Sequence, residues 1–214
     1  MRGIQPFLSH FTAFEGHDPN PSWAIAKGTA EAWKERHDPN LRVECVEVPI
    51  LWHGAYPVLR NKVSECNPDY LVCMGYFDGL SYAPELFAAK GPGMCMEMLA
   101  RNEAIHMTDD DGKYYDPKQA ETGETVPIDP SLPNTYSTLL PASRFQDRYP
   151  EVFTTSDDAG GYLCNFVFFM SMGHFPEIKQ KGFIHVGGSE QTIADGIQVL
   201  TDYAEWLAEM ELAV

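Results

Sequence analysis

Residues 41–74 read LRVECVEVPILWHGAYPVLRNKVSECNPDYLVCM, and the fold class turns on how this stretch divides. Leu41 to Val48 alternates apolar residues with Arg42, Glu44 and Glu47, the period of a half-buried strand, and Pro49 ends or bends it. Tyr56 to Cys66 places Val58, Leu59 and Val63 on one face of a helix. Pro68 and Asp69 then precede Tyr70 to Met74, a continuous apolar run of the kind that forms parallel strands covered on both faces. Upstream, Ile4 to Ser9 is a short apolar run that feeds an aromatic, Gly-bearing turn from Phe11 to Gly16. At Asn20-Pro21-Ser22-Trp23, Asn20 can cap and Pro21 can occupy the first turn of a helix reaching about Trp33. Strand, helix, strand, helix, strand is the rhythm of a doubly wound α/β sheet.

Downstream the rhythm breaks. Gly75 to Pro133 carries many Gly, Pro and Asp residues with only short apolar pieces, and reads as irregular structure over the sheet edge that includes a hairpin. Order returns with a helix over Leu139 to Tyr149, a strand over Val152 to Ser156, a helix over Leu163 to Met172 and a strand over Gly182 to Val186. In the closing helix Ile193, Ile197, Leu200, Ala204 and Leu207 share one face, while Asp195, Asp202, Glu205 and Glu209 lie largely off it. With 214 residues, 44% of them hydrophobic, the chain is sized for a single domain over 1–214 with a substantial core.

Charge and cysteine usage narrow the function classes. Asp and Glu number 31 against 15 Lys and Arg, a formal charge of −16, which is the wrong sign for neutralising phosphates; nucleic acid and membrane surfaces are not expected partners. Five cysteines without a C-x-x-C pair suggest neither a disulfide framework nor a zinc knuckle. No apolar run approaches the roughly 18 residues that span a bilayer, and no basic-then-apolar leader opens the chain. A reducing, cytoplasmic location is the expectation.

Chemistry concentrates at Val152 to Asn165. An apolar strand leads into Asp157-Asp158-Ala159-Gly160-Gly161, and Cys164 follows close to the start of an apolar helix. There it meets unsatisfied backbone N–H groups and the positive end of the helix dipole, which favour thiolate and can bind a developing oxyanion. The pattern alone leaves Cys164 open between a small core hydrophobe and a nucleophile. His185 ends the apolar strand and precedes Gly187-Gly188, so it is expected at a strand C-terminus, where open α/β sheets place ligands. A Cys and a His at one sheet edge form the pairing of a thiol nucleophile with its base.

Phe11-x-x-Phe14, Asn20-Pro21-Ser22-Trp23, Ser137-Thr138-Leu139, Ala159-Gly160-x-x-x-Cys164-Asn165 and Gly182-Phe183-Ile184-His185-Val186 occur in this order, and together they resemble the pyroglutamyl peptidase I (pyrrolidone-carboxylate peptidase) family, cysteine peptidase family C15. The resemblance implies a three-layer α/β/α sandwich around a mixed, mostly parallel twisted sheet. It also implies hydrolysis of the amide after an N-terminal pyroglutamate on a peptide or small amide by a Cys, His, Glu triad, with no metal and no organic cofactor. Cys164 and His185 fall on the nucleophile and base positions. Glu97, in Glu97-Met98-Leu99-Ala100-Arg101-Asn102, matches the family's acid best; Glu85, directly after Pro84, competes with it. The resemblance assigns Phe11 and Phe14 to the two faces of the lactam ring and adds Asn20, Tyr76, Tyr162 and Leu163 to the substrate-binding set. It also brings homo-oligomerisation as an expectation.

The chain departs from the family at Tyr76, where a Gln is usual, at Phe166, where bacterial members usually have His, and in a divergent inserted segment at about 77–96. These departures leave room for a related amidase with another acyl specificity, or for a binding domain that kept the scaffold without the activity.

Overall fold

The structure is a computed structural model and describes residues 5–13, 19–36, 43–77 and 93–212. The elements in chain order are β1 (Pro6–Phe11), α1 (Pro21–Arg36), β2 (Glu44–Val48), α2 (Ala55–Cys66), β3 (Tyr70–Tyr76), β4 (Met94–Glu97), β5 (Leu99–Arg101), the single turn α3 (Gln119–Thr122), β6 (Thr135–Ser137), α4 (Ala142–Arg148), β7 (Phe153–Ser156), α5 (Leu163–His174), β8 (Gln180–Val186) and α6 (Glu190–Leu212). Six strands make one sheet in the order β2-β1-β3-β8-β4-β7. β2, β1, β3 and β8 run parallel, β4 is antiparallel to β8, and β7 is parallel to β4.

The two-residue pleat sorts the core into two halves. Phe7, Phe11, Leu71, Cys73 and Phe183 face α2 and α5, where Leu59, Val63, Leu163, Phe166 and Val167 meet them. Leu8, Val72, Met74, Met94, Met96, Ile184 and Val186 face the other way, onto Ile25 and Trp33 of α1, Phe145 of α4 and Leu200, Tyr203 and Leu207 of α6. The result is the α/β/α sandwich with a mixed sheet. On the second face α1 and α6 cross closely. A Cβ on Gly28 would come within 2.3 Å of the Ile197 side chain and one on Gly196 within 2.7 Å of the Ile25 side chain, so the two glycines let the isoleucines of the facing helix pack against bare backbone.

Helix α5 has no polar stripe because it is not a surface helix. Leu163, Phe166, Val167, Phe168, Phe169 and Met172 are all buried; the sheet covers one side, and the β5–β6 ribbon covers another, with Tyr136 on Phe169 at 5.2 Å between ring centroids. Among the described residues no helix is long and apolar enough to cross a membrane.

Two expectations change. The stretch from Gly75 to Pro133 does not merely drape over the sheet edge: β4 is an inner strand between β8 and β7. Its four residues are buried throughout, so they show no alternation, and a four-residue run with a terminal Glu carries no strand signal. The same stretch also supplies β5 to a long-range ribbon, with Leu99, Ala100 and Arg101 opposite Ser137, Tyr136 and Thr135, and among its described residues there is no local hairpin. The helix expected from Leu139 begins at Ala142, because Pro141 biases the residue before it away from helical geometry; Leu139 stays 49% exposed. Most of the inserted segment at about 77–96, from 78 to 92, lies outside the described residues.

Candidate active site

His185 sits on β8 directly opposite Gly75 of β3 on one side and Cys95 of β4 on the other. Opposed residues share a face, so all three look toward α2 and α5. Glu97, two residues beyond Cys95, opposes Phe183. It is therefore the diagonal neighbour of His185 on that same face, within reach of a long side chain. The imidazole Nδ1–H donates to Glu97 Oε1 at 2.6 Å, with the two side chains 4% and 0% exposed. A carboxylate at this depth is tolerable only with a hydrogen-bonded partner, and the short distance is that of a charge-assisted bond. Phe183, at 5.0 Å edge-on, and Phe77, at 5.3 Å, flank the imidazole ring.

Cys164 approaches this pair from above the sheet. Its helix starts at Tyr162, whose backbone is extended and whose carbonyl accepts the Phe166 N–H at 2.9 Å. Leu163, Cys164 and Asn165 thus form the first turn, where N–H groups have no intrahelical acceptor and the helix dipole is positive. The loop leading in is folded on itself: Asp158 N–H donates to Ser156 Oγ and Gly160 N–H to Asp158 Oδ1, each at 3.0 Å. Gly160 takes φ +72°, a left-handed geometry that glycine adopts without cost. The thiol then comes to rest over Gly75, where a Cβ would stand 2.8 Å from Cys164 Sγ and 2.9 Å from Phe183 Cζ. Since Gly75 is the register partner of His185, the bare glycine seats the thiol on the row of the sheet that carries the imidazole.

The sequence model of the pyroglutamyl peptidase family matches residues 6–201, all but the ends of the chain. The chain belongs to the pyroglutamyl peptidase family. Membership makes it a cysteine peptidase by class. The pyrrolidone-carboxylate peptidase of Bacillus cytotoxicus is 26% identical over 221 aligned positions, covering 92% of this chain and 91% of that one. A counterpart from Bacillus cereus is 26% identical over 186, covering 84% and 76%. Two solved structures share the fold: a pyrrolidone carboxyl peptidase from Pyrococcus furiosus (TM-score 0.74, 24% identity, 98% of this chain and 100% of that one) and pyroglutamyl peptidase I from Bacillus amyloliquefaciens (TM-score 0.72, 23%, 92% and 93%).

The remaining site candidates of this family member divide sharply. Phe11 ends β1 on the Cys164 face, two residues beyond the Ser9 and Cys73 pairing and so level with Gly75. Tyr162 donates its hydroxyl to the Thr108 carbonyl at 3.0 Å and sets its ring edge-on to Trp52 at 5.1 Å. Leu163 is buried in the core beneath the helix. Asn20 is buried and committed inward, its Nδ2 donating to Thr12 O at 3.0 Å and its Oδ1 accepting from Ser22 N and Oγ; it caps α1 and closes the loop after β1. Tyr76 pairs with Val186, one pleat step from Gly75, so its ring leaves the thiol face and lies against Gly188. Phe14 and Glu85 lie outside the described residues.

Three features went unread in the sequence. Gly75 is the thiol seat, and its signal was a glycine inside an otherwise apolar strand, which often marks a close approach. Trp52 meets Tyr115, Tyr162 and Phe166 edge-to-face, and Tyr115 tilts against Phe166, in an aromatic group beside the helix that carries Cys164; Phe166 is thus a packing residue here. Arg101 spans to the loop before Cys164, with its guanidinium on Asp158 Oδ1 at 3.3 Å and Asp157 O at 3.1 Å. Other thiols are held protonated, Cys45 pushed up to about 12 and Cys73 to about 11, in both cases chiefly by burial.

Proposed function

We propose that the chain releases N-terminal pyroglutamate from peptides or small amides, with Cys164 as nucleophile, His185 as base and Glu97 as the acid that orients the imidazole. The observation that carries this reading is the 2.6 Å bond from His185 Nδ1 to buried Glu97 on the sheet row where Gly75 receives the Cys164 thiol. Nδ1 holds its proton toward the carboxylate, which leaves the basic lone pair on Nε2. That nitrogen takes the thiol proton, and Glu97 stabilises the imidazolium that results.

The thiolate attacks the scissile carbonyl, and the oxyanion forms near the first-turn N–H groups of α5. Collapse of the tetrahedral species breaks the amide C–N bond as His185 protonates the leaving amine. Water, deprotonated by the same imidazole, then hydrolyses the thioester and restores the thiol. Phe11 supplies an apolar ring at the level of the thiol, suited to a flat lactam. Tyr76 turns its ring away from the thiol face, so the unusual residue there is compatible with a pyroglutamyl pocket. None of the five cysteines forms a disulfide, in keeping with a reducing compartment; the cytoplasm and a homo-oligomeric state complete the reading.

A pyroglutamyl amide with a chromogenic leaving group tests the activity. Turnover by the native chain and none by Cys164→Ala are expected. A chain that cleaves other N-acyl amides but not the pyroglutamyl one overturns the substrate assignment.

A further inference from the structure

Asn165, the residue after the proposed nucleophile, is 0% exposed, yet it faces neither the imidazole nor the acid. Its Oδ1 accepts the Arg101 N–H at 2.8 Å, and its Nδ2 donates to Arg101 O and to Glu103 O, each at 2.9 Å. The carboxamide thus pairs with Arg101 as the backbone of another strand would, through one donor and one acceptor, and spends its second proton on Glu103. A reversed amide would set donor against donor and acceptor against acceptor, so the orientation is unambiguous.

These bonds join two segments far apart in sequence that both end in the site. One runs from Glu97 through β5; the other is the start of α5, with Cys164. The loop before Cys164 meets the same segment elsewhere: Met98 N–H donates to Ser156 O at 2.7 Å, and Ile105 N–H to Gly161 O at 3.0 Å. Asn165 adds a side chain of the α5 first turn to this zip, and it is the residue directly after Cys164.

We propose that Asn165 is a positioning residue for the triad: its carboxamide locks the first turn of α5 to the strand that continues from Glu97, and so holds the Cys164 thiol in register with His185. This rests on Cys164 being the nucleophile. Loss of the clamp lets the turn relax away from Gly75, and about 1 Å of misplacement in a reacting group costs roughly 10²-fold in rate.

The test compares Asn165→Ala, Asn165→Asp and Asn102→Ala with the native chain. Asn165→Asp keeps an acceptor for the Arg101 N–H but faces both carbonyls without a donor. Asn102 is the matched control. It also makes three hydrogen bonds, to Asp129 O at 2.7 Å, to Leu132 O at 3.3 Å and from Asp129 N at 2.8 Å, beside Arg101 but anchoring a loop away from the thiol. Two readouts are taken: kcat and KM on the pyroglutamyl amide, and the pH profile of Cys164 alkylation by iodoacetamide, followed by mass spectrometry without substrate.

Both Asn165 variants are expected to lose about 10²-fold in kcat with little change in KM. Their alkylation midpoint should move up toward the ordinary thiol value of about 8.5, while Asn102→Ala keeps the native midpoint even where it melts earlier. A native alkylation profile in either Asn165 variant overturns the proposal. So does an equal shift in Asn102→Ala, or failure of both Asn165 variants to fold, each of which makes the carboxamide a general fold determinant. If the native chain does not cleave the amide but the alkylation results hold, the substrate reading falls and the positioning role stands.

Discussion

Gly75→Ala is the most direct test of how the site is built. The added Cβ would lie 2.8 Å from Cys164 Sγ and 2.9 Å from Phe183 Cζ, against about 3.5–4.0 Å for comfortable nonbonded contact. Relief therefore needs roughly 1 Å of movement. Phe183 is wedged between the sheet and α5, at 0% exposure, so the thiol at the helix start is the group that yields. Overpacking of this kind costs about 1–3 kcal/mol of stability. The larger effect is on rate: a shift of about 1 Å between thiol and imidazole predicts roughly 10²-fold lower kcat, or about 2.7 kcal/mol in the barrier. The assay is steady-state hydrolysis of the chromogenic pyroglutamyl amide beside a thermal melt. Gly123→Ala serves as the control, since Gly123 has φ +69° and nothing within 4 Å; it should lose about 1 kcal/mol of stability or somewhat more and no kcat. A folded Gly75→Ala enzyme with kcat within about threefold of native, well short of the 10²-fold expected, refutes the seating of the thiol on this glycine.

Three further outcomes follow from the same geometry. Glu97→Gln removes the charge that faces the imidazolium; breaking a buried pair costs about 3–5 kcal/mol, so kcat should fall by roughly 10²–10⁴-fold, and an unchanged kcat would transfer the acid's role to another carboxylate such as Glu85. At pH 7 iodoacetamide should label Cys164 ahead of Cys45 and Cys73, whose thiols burial pushes up to about 12 and about 11; peptide mapping that finds Cys45 or Cys73 modified first contradicts an activated Cys164. Burial holds the Tyr203 phenol protonated far above its usual range near 10, and a raised folded-state pKa contributes stability that is complete below pH 10 and drains away as pH climbs past it. Urea midpoints measured from pH 9 to 11.5 should therefore fall more steeply for the native chain than for Tyr203→Phe, and parallel slopes would show that Tyr203 is not linked to folding.

What could be read from the sequence was local, and what could not was register. Tyr70 to Met74 and the closing helix announce themselves because each pattern completes within one element. Cys164 does too, since strand, Gly-rich turn and helix are contiguous. Glu97 does not: its partner His185 is 88 residues away, and only a motif separated Glu97 from Glu85. β4 was invisible for a related reason. A strand buried on both faces has no alternation, and its place between β8 and β7 is decided by pairing, not by its own residues.

Tyr76 shows how register settles chemistry. Ser9 opposes Cys73 and His185 opposes Gly75, so the odd-numbered residues of β3 face the thiol and the even-numbered ones face α1 and α6. Met74 and Tyr76 belong to the second set. The departure that seemed to threaten the acyl pocket thus projects its side chain on the far side of the sheet, whereas Gly75, which drew no notice, is the position where a single methyl group would reach the Cys164 thiol. Along β3 the substitutions that matter most for acyl transfer are those at Gly75 and Cys73, because on the face shared with Cys164, His185 and Glu97 these two stand level with His185 and Phe183, whereas Leu71, on the same face, lies further down the strand opposite Lys181.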